Sequence, residues 1–241
     1  MFDERGAYAR LAVAFAREIA NAPARRLCTV CAEFIGVTAA GITLMIGDNA
    51  GPICVSSQQV RALEDLQFTI GQGPCRDAFR SGEAVHVARL DELASDRWPP
   101  FVELARTSGI GAVYAYPLMS KTSRIGVLTL YHHLEGELTQ EQRDYSVALA
   151  EIVTETLLSL QDAAPVGTLA SGLDDAVTYR AEIYQASGMV AIQLKIPAPD
   201  ALLRIRAHAF ATDRTLGDVA ADIVARQLRL DNDRRGSDGP Q

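Results

Sequence analysis

The 241-residue chain is poor in cysteine, with four, has one tryptophan and is only 6% aromatic, and it has no surplus of positive charge. Each shortage excludes something. The four cysteines, Cys28, Cys31, Cys54 and Cys75, are too sparse for a disulfide-built scaffold and suit free thiols in a reducing compartment, so no disulfide is expected. No apolar run approaches the roughly 20 residues a membrane helix needs. The first ten residues mix Asp3, Glu4, Arg5 and Arg10 where a secretory signal would be apolar. The expectation is a cytoplasmic protein without a membrane partner. With 23 Lys and Arg against 30 Asp and Glu, the formal charge is −7, which repels polyanions and excludes a nucleic-acid clamp formed by the whole chain. A nucleic-acid partner would have to meet a local patch.

Motifs for catalysis are also missing. The turn Gly71-Gln72-Gly73-Pro74 lacks the Gly-Lys-Ser/Thr ending of a phosphate loop, and no HExxH or nucleophile elbow occurs. No catalytic residue, metal site or cofactor is therefore predicted. Cys28 and Cys31 form a CxxC within a helical pattern, without the second pair a structural zinc site needs, and read as buried thiols. His86 falls on a strand pattern. His132 and His133 follow another strand pattern, and as neighbours on an extended chain they are expected to point to opposite sides.

What is present is 48% hydrophobic residues and 22% charge over a length that accommodates two cores. One stretch, LQDAAPVGTLASGLD, is small and polar, and it marks a linker over 161–173. The predicted domains are 6–160 and 174–230, followed by a tail over 231–241 expected to be disordered.

Before the linker, helix and strand patterns alternate. Gly6 to Ala20 and Ala24 to Val37 read as helices. Ala40 to Ile46, Ile53 to Ser56, Ala84 to Ala88, Ala112 to Leu118 and Ile125 to Tyr131 read as five strands of one sheet. Cys75 to Arg80 reads as a short helix, and Thr139 to about Leu160 as a long one with a Thr-Gln-Glu-Gln start. That length suggests contact with a second subunit. Residues LQFTIGQGPCRDAFRSGEAVHV, then RWPPF, then AVYAYPL and IGVLTLYH, resemble a GAF domain of the kind found in actinobacterial two-domain regulators. The resemblance implies an antiparallel sheet with helices on one side and a pocket for an unknown small-molecule signal on the other. Three residues are candidates for that pocket or for redox chemistry: Cys75 near a helix N-terminus, where a thiolate is favoured, and Trp98 and Phe101 as a lid. Packing is the competing reading for each.

After the linker, strand patterns cease. Asp174 to Leu194 carries two apolar stripes: Val177, Ala181, Tyr184, Gly188 and Ala191, and Ile183, Ala186, Val190 and Leu194. A glycine within a helix costs about 1 kcal/mol relative to alanine, so Gly188 is expected to mark close approach of another helix. Pro197 and Pro199 end this helix and start the next, with Asp200 in its first turn. Ala201, Leu202, Ile205 and Ala209 are expected inside. Thr215 with Asp218 caps a third helix whose apolar face is Leu216, Val219, Ala220, Ile223, Val224 and Leu228.

These residues, with Arg206, His208 and Arg214, resemble an ANTAR domain, an RNA-binding module of bacterial antiterminators. Ala186, Gly188, Ala201, Ala209, Leu216 and Ala220 occupy its packing positions. Two departures stand out: Ser187 where many members have lysine, a lost phosphate contact, and Lys195 where glycine is common. The complete expectation is an α+β chain, a GAF domain followed by an all-α three-helix ANTAR bundle. It would act as a homodimeric, signal-responsive antiterminator, not an enzyme. The resemblance implies that its partner is structured leader RNA with paired hairpins. Bases and acids balance at seven each from Asp174 to Leu230, so a patch of Arg180, Lys195, Arg204, Arg206, His208 and Arg214 is predicted to bind it. Two alternatives stay open: a thiol enzyme resembling free methionine sulfoxide reductase, and a DNA-binding regulator.

Overall fold

The computed structural model describes residues 13, 15, 26–46, 49–90, 92–121, 123–162, 174–212 and 214–230. The predicted first helix, apart from Val13 and Phe15, lies outside them, as do the linker beyond Asp162 and the tail from Asp231. Two compact units result, Met1–Thr178 and Tyr179–Gln241.

In the first unit the order is α1 (Leu27–Ile35), β1 (Ala39–Ile46), β2 (Asn49–Val55), α2 (Gln58–Ile70), α3 (Pro74–Ser81), β3 (Val85–Val87), α4 (Glu92–Arg97), α5 (Pro99–Thr107), β4 (Ala112–Ser120), β5 (Ser123–His132) and α6 (Gln140–Asp162). The five strands form one sheet in the order β2-β1-β5-β4-β3, and every neighbouring pair is antiparallel. Alternation along the strands then sorts residues to two faces. Ile42, Tyr114, Tyr116, Leu128 and Leu130 meet Cys31 and Ile35 of α1 and Leu149 and Val153 of α6. Ala39, Val113 and Tyr131 on the other face meet Leu63 of α2 and Phe101, Val102 and Ala105 of α5.

Helices therefore cover both faces, where the sequence suggested helices on one. The difference comes from α2, α4 and α5, which the apolar pattern did not reveal. Buried positions on α2 include Glu64, Asp65 and Gln67 beside Val60, Leu63 and Phe68, so its inward face is half polar.

A second correction concerns the cysteines. Cys28 of α1 and Cys54 of β2 are joined by a disulfide, whereas Cys31 and Cys75 are free and buried. The CxxC thus contributes one partner to a bond across the fold. Sparse cysteine content describes a whole chain, and it cannot exclude two thiols that the fold brings together.

The second unit contains α7 (Asp174–Leu194), α8 (Ala198–Ala211) and α9 (Leu216–Val224). Thr215 caps α9 by accepting from the Asp218 N–H at 3.1 Å. Inside lie Ile183, Ala186, Val190 and Leu194 of α7, Ala201, Ile205 and Ala209 of α8, and Leu216, Val219, Ala220 and Ile223 of α9. Only one α7 stripe is used for this purpose. A Cβ built on Gly188 would meet nothing within 4 Å, so no described helix approaches closely there and the expected reason for the glycine does not hold within this unit.

Candidate functional site

On the α2 side of the sheet, the centre is polar and closed. Glu64 is 1% exposed, and its two carboxyl oxygens accept from the Thr43 hydroxyl at 2.6 Å and the Tyr131 hydroxyl at 2.6 Å. Gln67 donates to Tyr131 Oη at 3.2 Å and accepts from the Cys75 backbone N–H at 2.9 Å. Two glycines make room for these side chains. A Cβ at Gly41 would sit 2.9 Å from Glu64 Oε1, and at Gly73, whose φ is +134°, it would sit 2.4 Å from Gln67 Oε1. The Gly-Gln-Gly-Pro turn is thus a packing device: Gly71 ends α2 with φ +68° and Gly73 admits Gln67 before Pro74 starts α3.

Burial raises the Glu64 carboxyl above its ordinary range, while the hydrogen bonds from Thr43 and Tyr131 and the charge of Arg61 oppose the shift. The same burial, together with the charge of Glu64, holds the Cys75 thiol well above its ordinary value. The helix N-terminus does not make Cys75 a thiolate, which corrects the redox expectation for this residue.

Trp98 and Phe101 are core residues and do not form an open lid. They are 3% and 0% exposed, with their rings edge to face at 6.5 Å. The Trp98 indole N–H donates to Asp77 Oδ2 at 3.2 Å, and Arg97, paired with Asp77 at 2.7 Å, covers the ring at 4.6 Å. An open cleft of about 330 Å³ lies at the sheet edge instead, between the Ile53 to Ser57 stretch, Gln58 and Arg61.

His86 rests against Tyr114 and Tyr116 at 5.8 and 5.3 Å. The expectation that His132 and His133 diverge fails. Strand β5 ends at His132, the rings lie 4.9 Å apart, and the Thr38 hydroxyl is 3.2 Å from His132 Nδ1 and 2.6 Å from His133 Nδ1. Among the described residues, no three His, Cys, Asp or Glu side chains are grouped to hold a metal ion.

In the helical unit the predicted cations spread out. Lys195 is exposed at the end of α7 with φ +55°, the left-handed conformation that a helix-terminating residue takes and that glycine adopts without strain. Arg204 is exposed and Arg206 half-buried on α8. Two residues apart on a helix means about 200° of rotation, so these arginines line opposite flanks. His208 shares the Arg204 flank. Arg214 is exposed but pairs with Asp222 at 2.6 Å. The side chain of Arg180 lies outside the described residues.

Ser187 is buried and donates to the Ala198 carbonyl at 2.8 Å, fastening α7 to the start of α8. Its place is an internal corner between the two helices.

The sequence reading passed over three exposed apolar side chains in this unit, Ile192 (82%), Leu203 (64%) and Phe210 (54%), and Tyr184, placed on an apolar stripe, is exposed too (49%). The signal was available. Leu203 and Phe210 stand seven residues apart, off the buried Ala201, Ile205 and Ala209 stripe.

Residues 23–158 match the family model described as GAF domain, and residues 171–224 match the ANTAR domain model. Similar solved structures include the GAF domain of an Acinetobacter phosphoenolpyruvate-protein phosphotransferase. It is 11% identical, with 69% of this chain and 99% of that one covered and a TM-score of 0.49. The corresponding domain from Coxiella burnetii is 13% identical, with coverage of 64% and 95% and a TM-score of 0.49. A free methionine-R-sulfoxide reductase from Neisseria meningitidis, in complex with its substrate, is 18% identical, with coverage of 68% and 96% and a TM-score of 0.48. No curated protein sequence matches the chain.

Proposed function

From a chain that belongs to the GAF domain family and carries an ANTAR domain after it, we infer an RNA-binding regulator that promotes transcription antitermination when its GAF unit receives a signal. The architecture is that of a signal-responsive regulatory protein, not an enzyme. The observation that carries the finer reading is the ANTAR match itself, realised as a three-helix unit with Arg204 and Lys195 exposed at its surface and Arg206 half-buried. RNA loops are read through unpaired bases and backbone shape, so few cations suffice when two copies present them together. The 23-residue α6, with Val147 and Leu158 exposed, supports a homodimer as the means of pairing.

The reading takes a small molecule as the GAF signal and the cytoplasm as the location. No helix among the described residues is long and apolar enough to cross a membrane. The domain limits 6–160 and 174–230, with a linker between them, remain part of the proposal.

The thiol-enzyme alternative loses support. Cys54 is bonded to Cys28, and Cys75 is buried beside Glu64 on the opposite sheet face from Cys31. A duplex-DNA reader would draw on the same α8 cations, Arg204 and Arg206, so direct competition between hairpin RNA and duplex DNA separates the two readings.

Binding of hairpin RNA by the full chain over a salt series tests the proposal. Arg206→Ala and Arg214→Ala are expected to weaken binding by about tenfold at moderate salt and to flatten the salt dependence. Wild-type affinity in both variants at every salt concentration would refute the cationic surface.

A further inference from the structure

After α9 the chain turns and packs against α7. Arg226 takes the left-handed conformation, φ +61°, with its N–H donating to the Ile223 carbonyl, and Gln193 of α7 donates to the Leu230 carbonyl. Between α7 and this segment lies an open cleft of about 500 Å³, a volume usual for ligand sites. Its apolar lining is Met189, Ile192, Ile223 and Leu228, with Ile223 buried at the bottom and Ile192 exposed at the rim. The polar lining is Gln193, Arg226 and Arg229. Both arginines are exposed, and neither is ion-paired among the described residues, whereas Arg214 is held by Asp222. Two unneutralised guanidiniums beside an apolar cleft call for an occupant that is apolar in one part and anionic in another. Residues 226–229 lie beyond the 171–224 match to the ANTAR model, so the match does not assign this cleft.

We propose that the cleft between α7 and residues 226–229 takes one unpaired nucleotide of an RNA loop, its base against Met189, Ile192 and Leu228 and its phosphates at Arg226 and Arg229. The proposal rests on the RNA-binding reading above and names where one loop nucleotide sits. Charge selects the occupant. A second copy paired through the same cleft would bring the guanidiniums of both copies together, a like-charge contact that costs binding energy. The chain's own residues 231–241, DNDRRGSDGPQ, carry acids but no large apolar side chain to fill the cleft. Length then selects among anionic partners. From Met189 to Gln193 α7 advances about 6 Å, whereas a protein helix docked through anchors from i to i+7 needs about 10 Å of groove. A single nucleotide suits the shorter span, packing its base on apolar surface while the flanking phosphates meet cations. A duplex, whose bases are already stacked on one another, has none to offer.

The test uses the full chain and a pool of RNA stem-loops with a constant stem and a randomised loop, from which the wild type selects its tightest binders. Ile192→Ser changes a side chain that is 82% exposed and outside the core. It is expected to weaken binding to those RNAs about fivefold with the salt slope unchanged, because no charge is removed. Arg226→Gln combined with Arg229→Gln should weaken binding about tenfold at moderate salt and lower the slope by about one per arginine. Selected loops resynthesised with 4-thiouridine should crosslink on irradiation to residues within 189–193 or 223–229. Wild-type affinity in either variant, or crosslinks confined to other residues, overturns the nucleotide site while leaving the RNA reading intact. If such a variant also sediments as a smaller species, the cleft belongs to self-association; if it does not, the cleft is left to an acidic protein segment. Selection of no stem-loop over the loop-free duplex overturns both the site and the RNA reading.

Discussion

The GAF unit encloses Glu64, Asp65, Gln67, Thr43 and Thr129, whereas the much smaller ANTAR unit leaves Tyr184, Ile192, Leu203 and Phe210 in solvent. Both depart from the usual sorting of polar outside and apolar inside, in opposite directions. In the larger unit, Glu64, Gln67, Thr43 and Tyr131 are tied into a network reaching across α2, β1, β5 and the backbone at the start of α3. Such a network fixes one arrangement of α2 on the sheet, since every shift of the helix breaks a buried hydrogen bond. In the three-helix unit the contacts are single ones, Ser187 to the Ala198 carbonyl and Gln193 to the Leu230 carbonyl, and apolar groups face outward.

Removing the carboxyl of Glu64 breaks the contrast most directly. Glu64→Ala should cost the GAF unit about 4 kcal/mol, through the cavity and the stranded Thr43 and Tyr131 hydroxyls, read as a lower calorimetric transition. Glu64→Gln sharpens it. Because the folded-state pKa of Glu64 is raised, the folded unit holds a proton that the unfolded chain releases above the ordinary carboxylate value. Stability should therefore fall as pH climbs from that value through the raised one. The glutamine variant should lose this slope; an unchanged slope would show that another group carries it.

Reduction of the Cys28–Cys54 bond comes next. The bridge closes a loop of sequence separation 26, and opening it with a thiol or by Cys54→Ser should destabilise the GAF unit by about 3 kcal/mol without moving the ANTAR transition. Equal shifts in both transitions would contradict the division into separate units. The smallest effect lies in the helical unit. Lys195→Gly relieves a left-handed backbone and should stabilise that unit by about 1 kcal/mol in denaturant unfolding, narrowing the gap between the two. A loss of stability would mean that the lysine side chain contributes more than its backbone strain costs.

How legible this was depended on whether local pattern and tertiary environment agreed. Helix α7 was predicted over the span it occupies, because its buried stripe, Ile183, Ala186, Val190 and Leu194, repeats at helical spacing and Pro197 stops it. The five strands were visible because β-branched and aromatic residues cluster between turns. Helix α2 was hidden by its own function: Glu64, Asp65 and Gln67 on the inward side erase the apolar periodicity that would have announced it. Trp98 and Phe101 could be read as a lid, yet Pro99 and Pro100 between them occupy the first turn of α5, where a missing N–H costs nothing. The candidate cations could be named from sequence, but their division between two flanks of α8 required placing Arg204 and Arg206 on one helix. Convergence of His132 and His133 on Thr38 depended on where β5 stops, which alternation cannot tell.

The bond between Cys28 and Cys54 makes a closed ring of the backbone that holds α1, β1 and most of β2. A protease that severs one peptide link inside this ring gains a water molecule but releases no fragment. The nicked chain would migrate as an intact species until a reductant parts it in two, so that gel mobility with and without reductant locates the cut.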